Sequence, residues 1–257
     1  MIPKITHQIW MQGFENIPEK FKKNVEALHA LNPEYEHRQW NESLLREECE
    51  KYSSECLERF DSFELMTLKI DLGRYVVLYN YGGISVDTDM EQLKPLSTLS
   101  YSELNGFTIS KTAFPLKLFG FLNNAVIITP PQNNILKNII DRIIADNRSV
   151  SDFSSNNSMV DETTGPRFIN NTLSSINIPY TILDNKYFEP CSSLDYFCRV
   201  HKDSIMNHHH EGSWRSWYNI LSEVLLILFL RSLPFFIICF IFVYIYRNKF
   251  QFFKKRR

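Results

Sequence analysis

The stretch that most constrains the fold joins a helical pattern to a short apolar strand. Apolar side chains at helical spacing predict a helix over Glu64–Tyr79. The pair Gly82-Gly83 then ends that helix, because glycine readily adopts the backbone conformation of a helix C-terminus. Ile84–Val86 follows as a buried strand, and its carboxyl end leads directly into Asp87 and Asp89. A helix, a tight turn and a buried strand in this order indicate an α/β fold.

Strand and helix patterns alternate along most of the chain. The predicted strands are Ile2–Trp10, Tyr35–Trp40, Phe107–Ser110, Ala125–Thr129 and Tyr180–Leu183. The predicted helices are Pro18–Leu31, Ser43–Phe60, Pro131–Asn147 and Gly165–Ile176, and the polar residues Ser149–Thr164 are predicted to be irregular. This alternation predicts an α/β domain with a mostly parallel sheet, in which ligands bind beyond the carboxyl ends of the strands. Asp87 and Asp89 lie at such an end.

Length, charge and cysteine spacing narrow the class of protein. A chain of 257 residues can form one sizeable α/β domain. The net charge of −1 and the absence of a basic stripe argue against a nucleic-acid partner. The pairs Cys49/Cys56 and Cys191/Cys198 are spaced like neither a zinc site nor a dense disulfide scaffold. Most cysteines, Cys239 included, are therefore predicted to be free buried thiols, with a structural disulfide as the alternative.

The segment from Ile220 to Tyr246 is almost wholly apolar and long enough to cross a bilayer. Arg231 and Pro234 interrupt it, so it forms either one kinked transmembrane helix, which we favour, or two short halves. The predicted division is a catalytic domain at 1–217, a transmembrane segment at 218–246 and a basic tail at 247–257.

Basic residues after the apolar segment place that end on the cytoplasmic side. We therefore expect a single-pass protein of the endoplasmic reticulum or Golgi membrane with its body in the lumen. Sequons at Asn41, Asn147, Asn156 and Asn170 are compatible with this orientation. The first ten residues carry no apolar region typical of a signal peptide, so insertion after synthesis, with a cytosolic body, is the alternative.

Two pairs of charged residues form the predicted centre of a site. The carboxylates of Asp87 and Asp89 can hold a hard divalent cation, and such a cation can neutralise a diphosphate. Asp71 and Arg74 are three apart on the preceding helix and share one face. That pair can reach the sugar and phosphate of a ligand, or it can be an ordinary surface ion pair. Apolar neighbours on both sides favour burial.

Other candidates follow or precede this centre along the chain. Trp10 at the end of the first strand can stack on a base or belong to the core. Asn123 and Asn124 stand at a strand start, where an amide can bind a sugar hydroxyl or form a turn. After them comes the run HHHEGSW, whose members with predicted roles are His208, His209, Ser213 and Trp214. Its imidazoles can complete a metal site, and its Gly-Ser-Trp turn can cover a diphosphate.

The order of these motifs resembles that of family 32 glycosyltransferases, a group that includes inositol phosphorylceramide mannosyltransferases. The resemblance covers about residues 2–217 and rests on IPKITHQIW, DLGRYVVLYNYGG, DTD, NNAVI, TGP at 164–166, FEP at 188–190 and HHHEGSW. It implies a GT-A-like nucleotide-diphospho-sugar transferase fold. It also implies a nucleotide-sugar donor, Mn²⁺ or Mg²⁺ as cofactor, and retention at the anomeric carbon.

The resemblance also implies roles for individual residues. Trp10 would stack on the base, while Asp71 and Arg74 would contact the ribose and donor sugar. Asp87 would lie near ribose and metal, and Asp89 would ligate the metal directly. The double histidine would be His208 and His209. Ser213 and Trp214 would close over the diphosphate.

The function that follows is a membrane-anchored, metal-dependent hexosyltransferase. It would move mannose from GDP-mannose to a lipid head group such as inositol phosphorylceramide, or to a glycan. The alternatives are a transferase that uses a UDP-sugar and a non-catalytic membrane subunit, and a regulatory membrane subunit is an expected partner. A phosphohydrolase fits less well, because its Asp-x-Asp would end the first strand, where this chain has Trp10.

Overall fold

The computed structural model describes residues 1–100, 104, 106–211 and 217–254. It divides into one compact unit over residues 1–215 and a second over residues 216–257. The range of the first unit includes every predicted site residue, but Ser213 and Trp214 lie outside the described residues.

The first unit is built on a mixed six-stranded sheet of order β2-β1-β3-β6-β5-β7. Its strands are β1 Ile5–Ile9, β2 Glu36–Trp40, β3 Gly83–Val86, β5 Thr108–Lys111, β6 Leu122–Thr129 and β7 Thr181–Leu183. Strands β1, β2 and β3 are parallel, β6 is antiparallel to both β3 and β5, and β7 is parallel to β5. Only β6 thus runs against the other five strands of this sheet, and the predicted mostly parallel α/β sheet is confirmed.

The helices of this unit are α1 Glu19–Leu31, α2 Glu42–Tyr52, α3 Ser54–Ser62, α4 Met66–Tyr81, α5 Asn134–Ala145, α6 Asn156–Thr163 and α7 Pro166–Ser175. The single helix predicted over Ser43–Phe60 is wrong, because the chain breaks at Ser53. The Ser53 side chain accepts a hydrogen bond from the Cys56 amide and so caps α3. The irregular region predicted over Ser149–Thr164 is also wrong in part, since Ser155 caps α6 in the same way.

Two apolar clusters form the core on opposite faces of the sheet. Alternate residues of β6 divide between them: Ile127 belongs to the cluster with α4 and α5, whereas Val126 and Ile128 belong to the cluster with α1. This period of two is the pattern expected of a strand buried on both faces.

Helix α4 lies against the sheet and positions the site. Gly82 ends it with a φ of 63°, and a Cβ there would lie 2.5 Å from the backbone nitrogen of Pro131. The neighbouring strand β1 fixes this turn, because the His7 Nε2–H donates to the Gly82 carbonyl at 2.8 Å. The Trp40 Nε1–H donates to His7 Nδ1 at 3.1 Å. Both ring nitrogens of a neutral His7 are therefore hydrogen-bonded when the proton is on Nε2.

A second, two-stranded sheet was not predicted from the sequence. Its strands are β4 Met90–Gln92 and β8 Met206–His208, which pair antiparallel with Met90 opposite His208. Each strand has only three residues, too few to show a periodic pattern. The pairing brings the histidine run next to the Asp-x-Asp triplet.

The cysteines differ from the prediction in part. Cys49 and Cys56 are free and buried, as predicted. Cys191 and Cys198 instead form a disulfide with a Cα–Cα distance of 5.7 Å, and Cys239 is exposed.

The described part of the second unit is one helix, α8, at Trp217–Lys254. Pro234 lies within it, so the chain forms one continuous helix and not the two halves considered as the alternative. Its stretch Ile220–Tyr244 has a mean hydropathy of 2.7 and is long and apolar enough to cross a membrane.

Candidate active site

The carboxyl ends of β1 and β3 and the start of β6 meet at one edge of the sheet. Because β6 runs antiparallel to β3, with Val86 opposite Val126, the residues before Val126 stand beside those after Val86. The Asp87 amide accordingly donates to the carbonyl of Ala125 at 3.0 Å. Trp10, Asp87 and the two asparagines therefore share one edge, as the strand order requires.

Asp71 and Arg74 form a buried ion pair on α4. The Nη1 of Arg74 lies 3.4 Å from Oδ1 of Asp71, and both side chains are about 5% exposed. The surface ion pair considered as an alternative is therefore excluded. Burial raises the pKa of Asp71 to about 6, although Arg74 and a hydrogen bond from Thr164 work in the opposite direction.

Arg74 joins α4 to the Asp-x-Asp triplet. Its guanidinium donates to Asp87 Oδ1 and, at 2.8 Å, to the carbonyl of Asn124. Burial raises the pKa of Asp87, and Arg74 partly offsets that effect. Burial also lowers the pKa of Arg74, but the carboxylates of Asp87 and Asp71 outweigh it and the net shift is upward.

Asn124 and Thr164 complete this network. Asn124 Nδ2 donates to Asp71 Oδ1 at 3.1 Å, and the Thr164 hydroxyl donates to Asp71 Oδ2 at 2.8 Å. The Tyr75 hydroxyl donates to the Thr164 carbonyl at 2.6 Å. No role was predicted for Thr164, although it opens the TGP motif quoted above. Asn124 and Thr164 together give Asp71 two side-chain donors in addition to its ion pair with Arg74, and these contacts fix the carboxylate in place.

Asp89 lies one residue beyond Thr88 and faces the histidine run. Its Oδ2 is 3.2 Å from Nε2 of His208 and accepts the Glu211 amide at 2.9 Å. Burial alone would raise its pKa, but His208 and the Glu211 amide lower the pKa of Asp89 to about 2. Asp89 is therefore ionised throughout the neutral range.

His208 stands between two carboxylates. Its Nδ1 lies 3.7 Å from Oε2 of Glu189 and 3.3 Å from Nδ2 of Asn123. Burial lowers its pKa, but Asp89 and Glu189 outweigh that effect and raise the pKa of His208 to about 10. Asn123 is thus placed beside the imidazole, whereas Asn124 belongs to the Asp71 network.

Glu189 is a site residue that sequence reasoning missed. Its side chain is 1% exposed, and its Oε1 accepts the Thr112 hydroxyl at 2.7 Å and the Ala113 amide at 3.0 Å. The same Oε1 lies 3.4 Å from Nε2 of His210. A possible signal was the FEP motif at 188–190, which formed part of the family resemblance without a role of its own.

His210 takes the place predicted for His209. The His210 backbone has a φ of 54°, a left-handed conformation that is uncommon outside glycine, and its ring stacks on that of His208 at 4.0 Å. His209 instead points toward Glu91, with Nε2 3.3 Å from Oε2, and its side chain is 44% exposed. The structure therefore pairs His208 with His210.

Two overlapping sets of side chains could hold a metal ion. The ligand atoms of Asp87, Asp89 and His208 lie within 4.8 Å of one another, as do those of Glu189, His208 and His210. The first set offers two carboxylates, which suit Mg²⁺ or Mn²⁺, and one imidazole. The predicted metal-binding set thus fits at Asp87, Asp89 and His208. If His208 bound a metal through Nε2, its imidazole would carry its proton on Nδ1. The nearby carboxylate that could accept from Nδ1 is that of Glu189.

A cleft opens beside Asp89. It is lined by Lys20, Phe21, Asn24, Asp89, His209 and Glu211. Trp10 is half-buried next to it, with its ring centroid 5.2 Å from that of Phe21. Among the residues described, Trp10 Nε1 is buried without a hydrogen-bond partner. An aromatic wall next to the carboxylates of Asp87 and Asp89 can bind a nucleotide base and its diphosphate.

Comparison with known proteins agrees with this chemistry. Residues 18–105, which include Asp71, Arg74, Asp87 and Asp89, match the family described as glycosyltransferase sugar-binding region containing DXD motif. A glycosyltransferase of Acanthamoeba polyphaga mimivirus is 28% identical over 226 residues, covering 83% of this chain and 84% of that protein.

Fungal relatives match a shorter part. Inositol phosphoceramide mannosyltransferase 3 of Schizosaccharomyces pombe is 36% identical over 89 residues, covering 35% of this chain and 24% of that protein. Inositol phosphoceramide mannosyltransferase 1 of the same yeast is 29% identical over 135 residues, covering 50% of this chain and 39% of that protein. The chain therefore aligns with less than half the length of either mannosyltransferase.

Solved glycosyltransferase structures are also similar. The PaToxG glycosyltransferase matches with a TM-score of 0.45 and 20% identity, covering 67% of this chain and 69% of that one. A glycosyltransferase involved in glycosylation of the major capsid of PBCV-1 matches with a TM-score of 0.42 and 14% identity, over 80% of this chain and 93% of that one. The sequence matches and the Asp-x-Asp site together support a glycosyltransferase, and residues 18–105 match the family of sugar-binding regions that contain the DXD motif.

Proposed function

We propose that this glycosyltransferase is a metal-dependent, retaining hexosyltransferase that moves mannose from GDP-mannose to a membrane lipid head group. The observation that carries the proposal is the arrangement at the end of β3. There Arg74 holds Asp87 on one side, and His208 faces Asp89 on the other. The names of the fungal relatives supply the sugar and the acceptor class. An acceptor glycan is the nearest variant of this proposal.

The donor would lie across the sheet edge, with its base against Trp10 and its diphosphate toward Asp89. Asp71 and Arg74 would contact the ribose and the donor sugar, in the orientation that Thr164 and Asn124 impose. Ser213 and Trp214 are proposed to cover the diphosphate. Because the fold already holds the side chains of Asp71 and Arg74, these two groups would need little ordering when the donor binds.

Asp87, Asp89 and His208 would hold Mn²⁺ or Mg²⁺, which when bound would neutralise negative charge on the leaving diphosphate. In the proposed reaction the bond from the anomeric carbon to the diphosphate oxygen breaks. A bond from an acceptor hydroxyl oxygen to the same carbon forms on the same face, and the hydroxyl proton passes to the departing oxygen. Arg74 is a fixed positive charge close to this centre.

We further propose that α8 crosses a membrane of the endoplasmic reticulum or Golgi and that residues 1–217 lie in the lumen. The basic residues after the apolar stretch favour a cytoplasmic C-terminus. The Cys191–Cys198 disulfide supports a lumenal body, because disulfides persist in oxidising compartments. Synthesis in the presence of microsomes tests this: a lumenal body should gain endoglycosidase-sensitive mass, which the exposed Asn147 and Asn156 sequons permit. A chain that stays unglycosylated and open to added protease would contradict the orientation.

Donor hydrolysis and transfer with a panel of GDP- and UDP-sugars, with and without Mn²⁺, test the reaction. GDP-mannose should be the preferred donor, and omission of Mn²⁺ should abolish turnover. Asp89→Asn should lower turnover by at least about 100-fold, since several kcal/mol of charge stabilisation depend on the metal. Asp61→Asn, which removes a carboxylate from a surface ion pair with Arg46, is the control and should stay active.

The outcomes separate the alternatives. Preferred turnover with a UDP-sugar would replace the proposed donor. Binding of nucleotide without hydrolysis or transfer of any sugar would favour a non-catalytic membrane subunit. Wild-type turnover in Asp89→Asn would refute the assignment of the metal site.

A further inference from the structure

Two loops of the first unit expose large apolar side chains to solvent. One is the short turn Leu116–Phe119, in which Phe119 is 61% exposed. The other follows the first cysteine of the disulfide and includes Tyr196, which is 97% exposed, and Phe197. Apolar side chains of this size are rarely clustered on a surface that contacts only water, and such clusters mark interaction sites.

Both loops are attached to the same segment of chain, Asn185–Pro190. In the first loop, Lys117 Nζ donates to Asn185 Oδ1 at 3.2 Å, and just before that loop the Ala113 amide donates to Glu189. The second loop begins at Cys191, directly after that segment, and the disulfide returns it to the same place. The six exposed apolar residues of the two loops are called the loop surface below: Leu116, Leu118, Phe119, Tyr196, Phe197 and Val200.

The loop surface is accompanied by positive charge. Lys111 precedes the first loop and Lys117 lies within it, while the exposed Arg199 and Lys202 stand on either side of Val200 in and after the second loop. The carboxylate inside the second loop, Asp195, is 5% exposed and accepts the Phe197 amide. Apolar side chains with basic neighbours are the combination that binds the interface of an anionic bilayer.

We infer that the loop surface lies in the head-group region of an anionic lipid bilayer. This inference rests on the proposed function in one respect, namely that α8 is embedded in the same membrane. Helix α8 starts at Trp217 and belongs to the same chain as the first unit, so anchoring of α8 would tether the first unit to that membrane. The basic side chains would meet lipid phosphates while Phe119 and Phe197 enter the acyl boundary.

The position of the loop surface matters for the acceptor. Glu189 joins the residues just before the first loop to His208, since its Oε1 accepts from Ala113 and its Oε2 lies 3.7 Å from that imidazole. The segment Asn185–Pro190, to which both loops are attached, therefore also supplies a side chain to the His208 part of the site. The loop surface would thus bring a membrane lipid, the proposed acceptor, to the part of the fold that supplies Glu189 to the site.

The test uses the full-length chain in nanodiscs of phosphatidylcholine and phosphatidylserine, with a bimane label and doxyl-lipid quenchers. The native thiol Cys239, exposed within the candidate span, is labelled first to establish that α8 is embedded. In a Cys239→Ser background, Phe119→Cys is then compared with Val150→Cys. Val150 is the matched control, because it is also exposed but lies in a turn after α5.

We expect loss of bimane fluorescence at position 119 with quenchers near the head groups, and no loss at position 150. Quenching at Cys239 with none at position 119 would overturn the inference that the loop surface lies in the bilayer, but it would still support α8 as a membrane anchor. Shielding of position 119 that grows with protein concentration and not with lipid would assign the surface to a second copy of the chain. None of these results depends on sugar transfer, so failure of the proposed reaction would be seen separately in the donor assay.

Discussion

Replacing Glu189 with glutamine should weaken Mn²⁺ binding without removing any proposed metal ligand of the Asp87, Asp89 and His208 set. Glutamine keeps the size of the side chain, and its oxygen can still accept from Thr112 and Ala113. At the position of Oε2, however, an NH₂ donor replaces an acceptor 3.7 Å from His208 Nδ1. The proton would then leave Nδ1 for Nε2, the atom that faces Asp89, and the imidazole could no longer ligate through Nε2.

The expected loss of Mn²⁺ affinity follows from the effect of removing such carboxylates in other metal sites. Loss of the carboxylate that orients a ligating histidine typically lowers metal affinity by about 10- to 100-fold, equivalent to about 1.4–2.8 kcal/mol. Asn123 places a donor 3.3 Å from the same Nδ1, so no neighbouring acceptor replaces Glu189 among the contacts described there. We therefore expect the upper part of that range.

Electron paramagnetic resonance of free Mn²⁺ measures the affinity directly, without donor or acceptor. Glu48→Gln is the matched control: Glu48 is another buried carboxylate, with hydrogen bonds from Lys51, Asn80 and Tyr81, and it lies outside the site. That variant should lose stability but keep its Mn²⁺ affinity. Equal Mn²⁺ affinity in Glu189→Gln and the wild type would refute the role given to Glu189.

Two further predictions concern the turn that joins α4 to β3. Burial lowers the pKa of His7 to about 4 from 6.5, so the unfolded chain takes up the proton first as pH falls, and stability that is present above pH 6.5 is lost toward pH 4. The loss in unfolding free energy should reach about 2 kcal/mol at pH 5. In urea unfolding of the full chain, His7→Gln should remove that part of the pH dependence. An unchanged slope of unfolding free energy against pH in this variant would contradict the role given to His7. Gly82→Ala should destabilise by more than about 2 kcal/mol, because it adds a clash with Pro131 to the cost of a positive φ. Gly120 has a φ of 77° and open space where a Cβ would lie, so Gly120→Ala measures the cost of the positive φ alone. Equal losses of unfolding free energy in the two variants would show that the structure relieves the clash with Pro131.

Local pattern explains why the donor side of the site was predictable. Asp71, Arg74, Asp87 and Asp89 lie on a helix, a turn and a strand that are consecutive in the chain, so periodicity and the Gly82 stop place them correctly. The exclusion of the surface ion pair also followed from the apolar neighbours of Arg74. These are short-range relations that a single sequence carries.

The other half of the site depends on contacts between distant segments. The pairing of Met90 with His208 involves two strands of three residues each, and nothing periodic in either predicts it. Which of three adjacent histidines faces Asp89 is decided by that register and by the left-handed backbone of His210. The sequence around Glu189 carries no sign of its burial, which depends on the folded structure. The Cys191–Cys198 disulfide likewise depends on the loop geometry.

The ribbon of β4 and β8 also sets a time order for assembly during synthesis. Asp89 accepts the amide of Glu211 from 122 residues further along the chain, so its environment is incomplete until almost all of the first unit has been made. At a synthesis rate of about 5–20 residues per second, the Glu211 partner of Asp89 is made on the order of 6–24 s after Asp89 itself. Throughout that interval a nascent chain has its two aspartates but lacks His208. A metal ion held by the proposed set of Asp87, Asp89 and His208 could therefore bind there only after almost all of the first unit has been made.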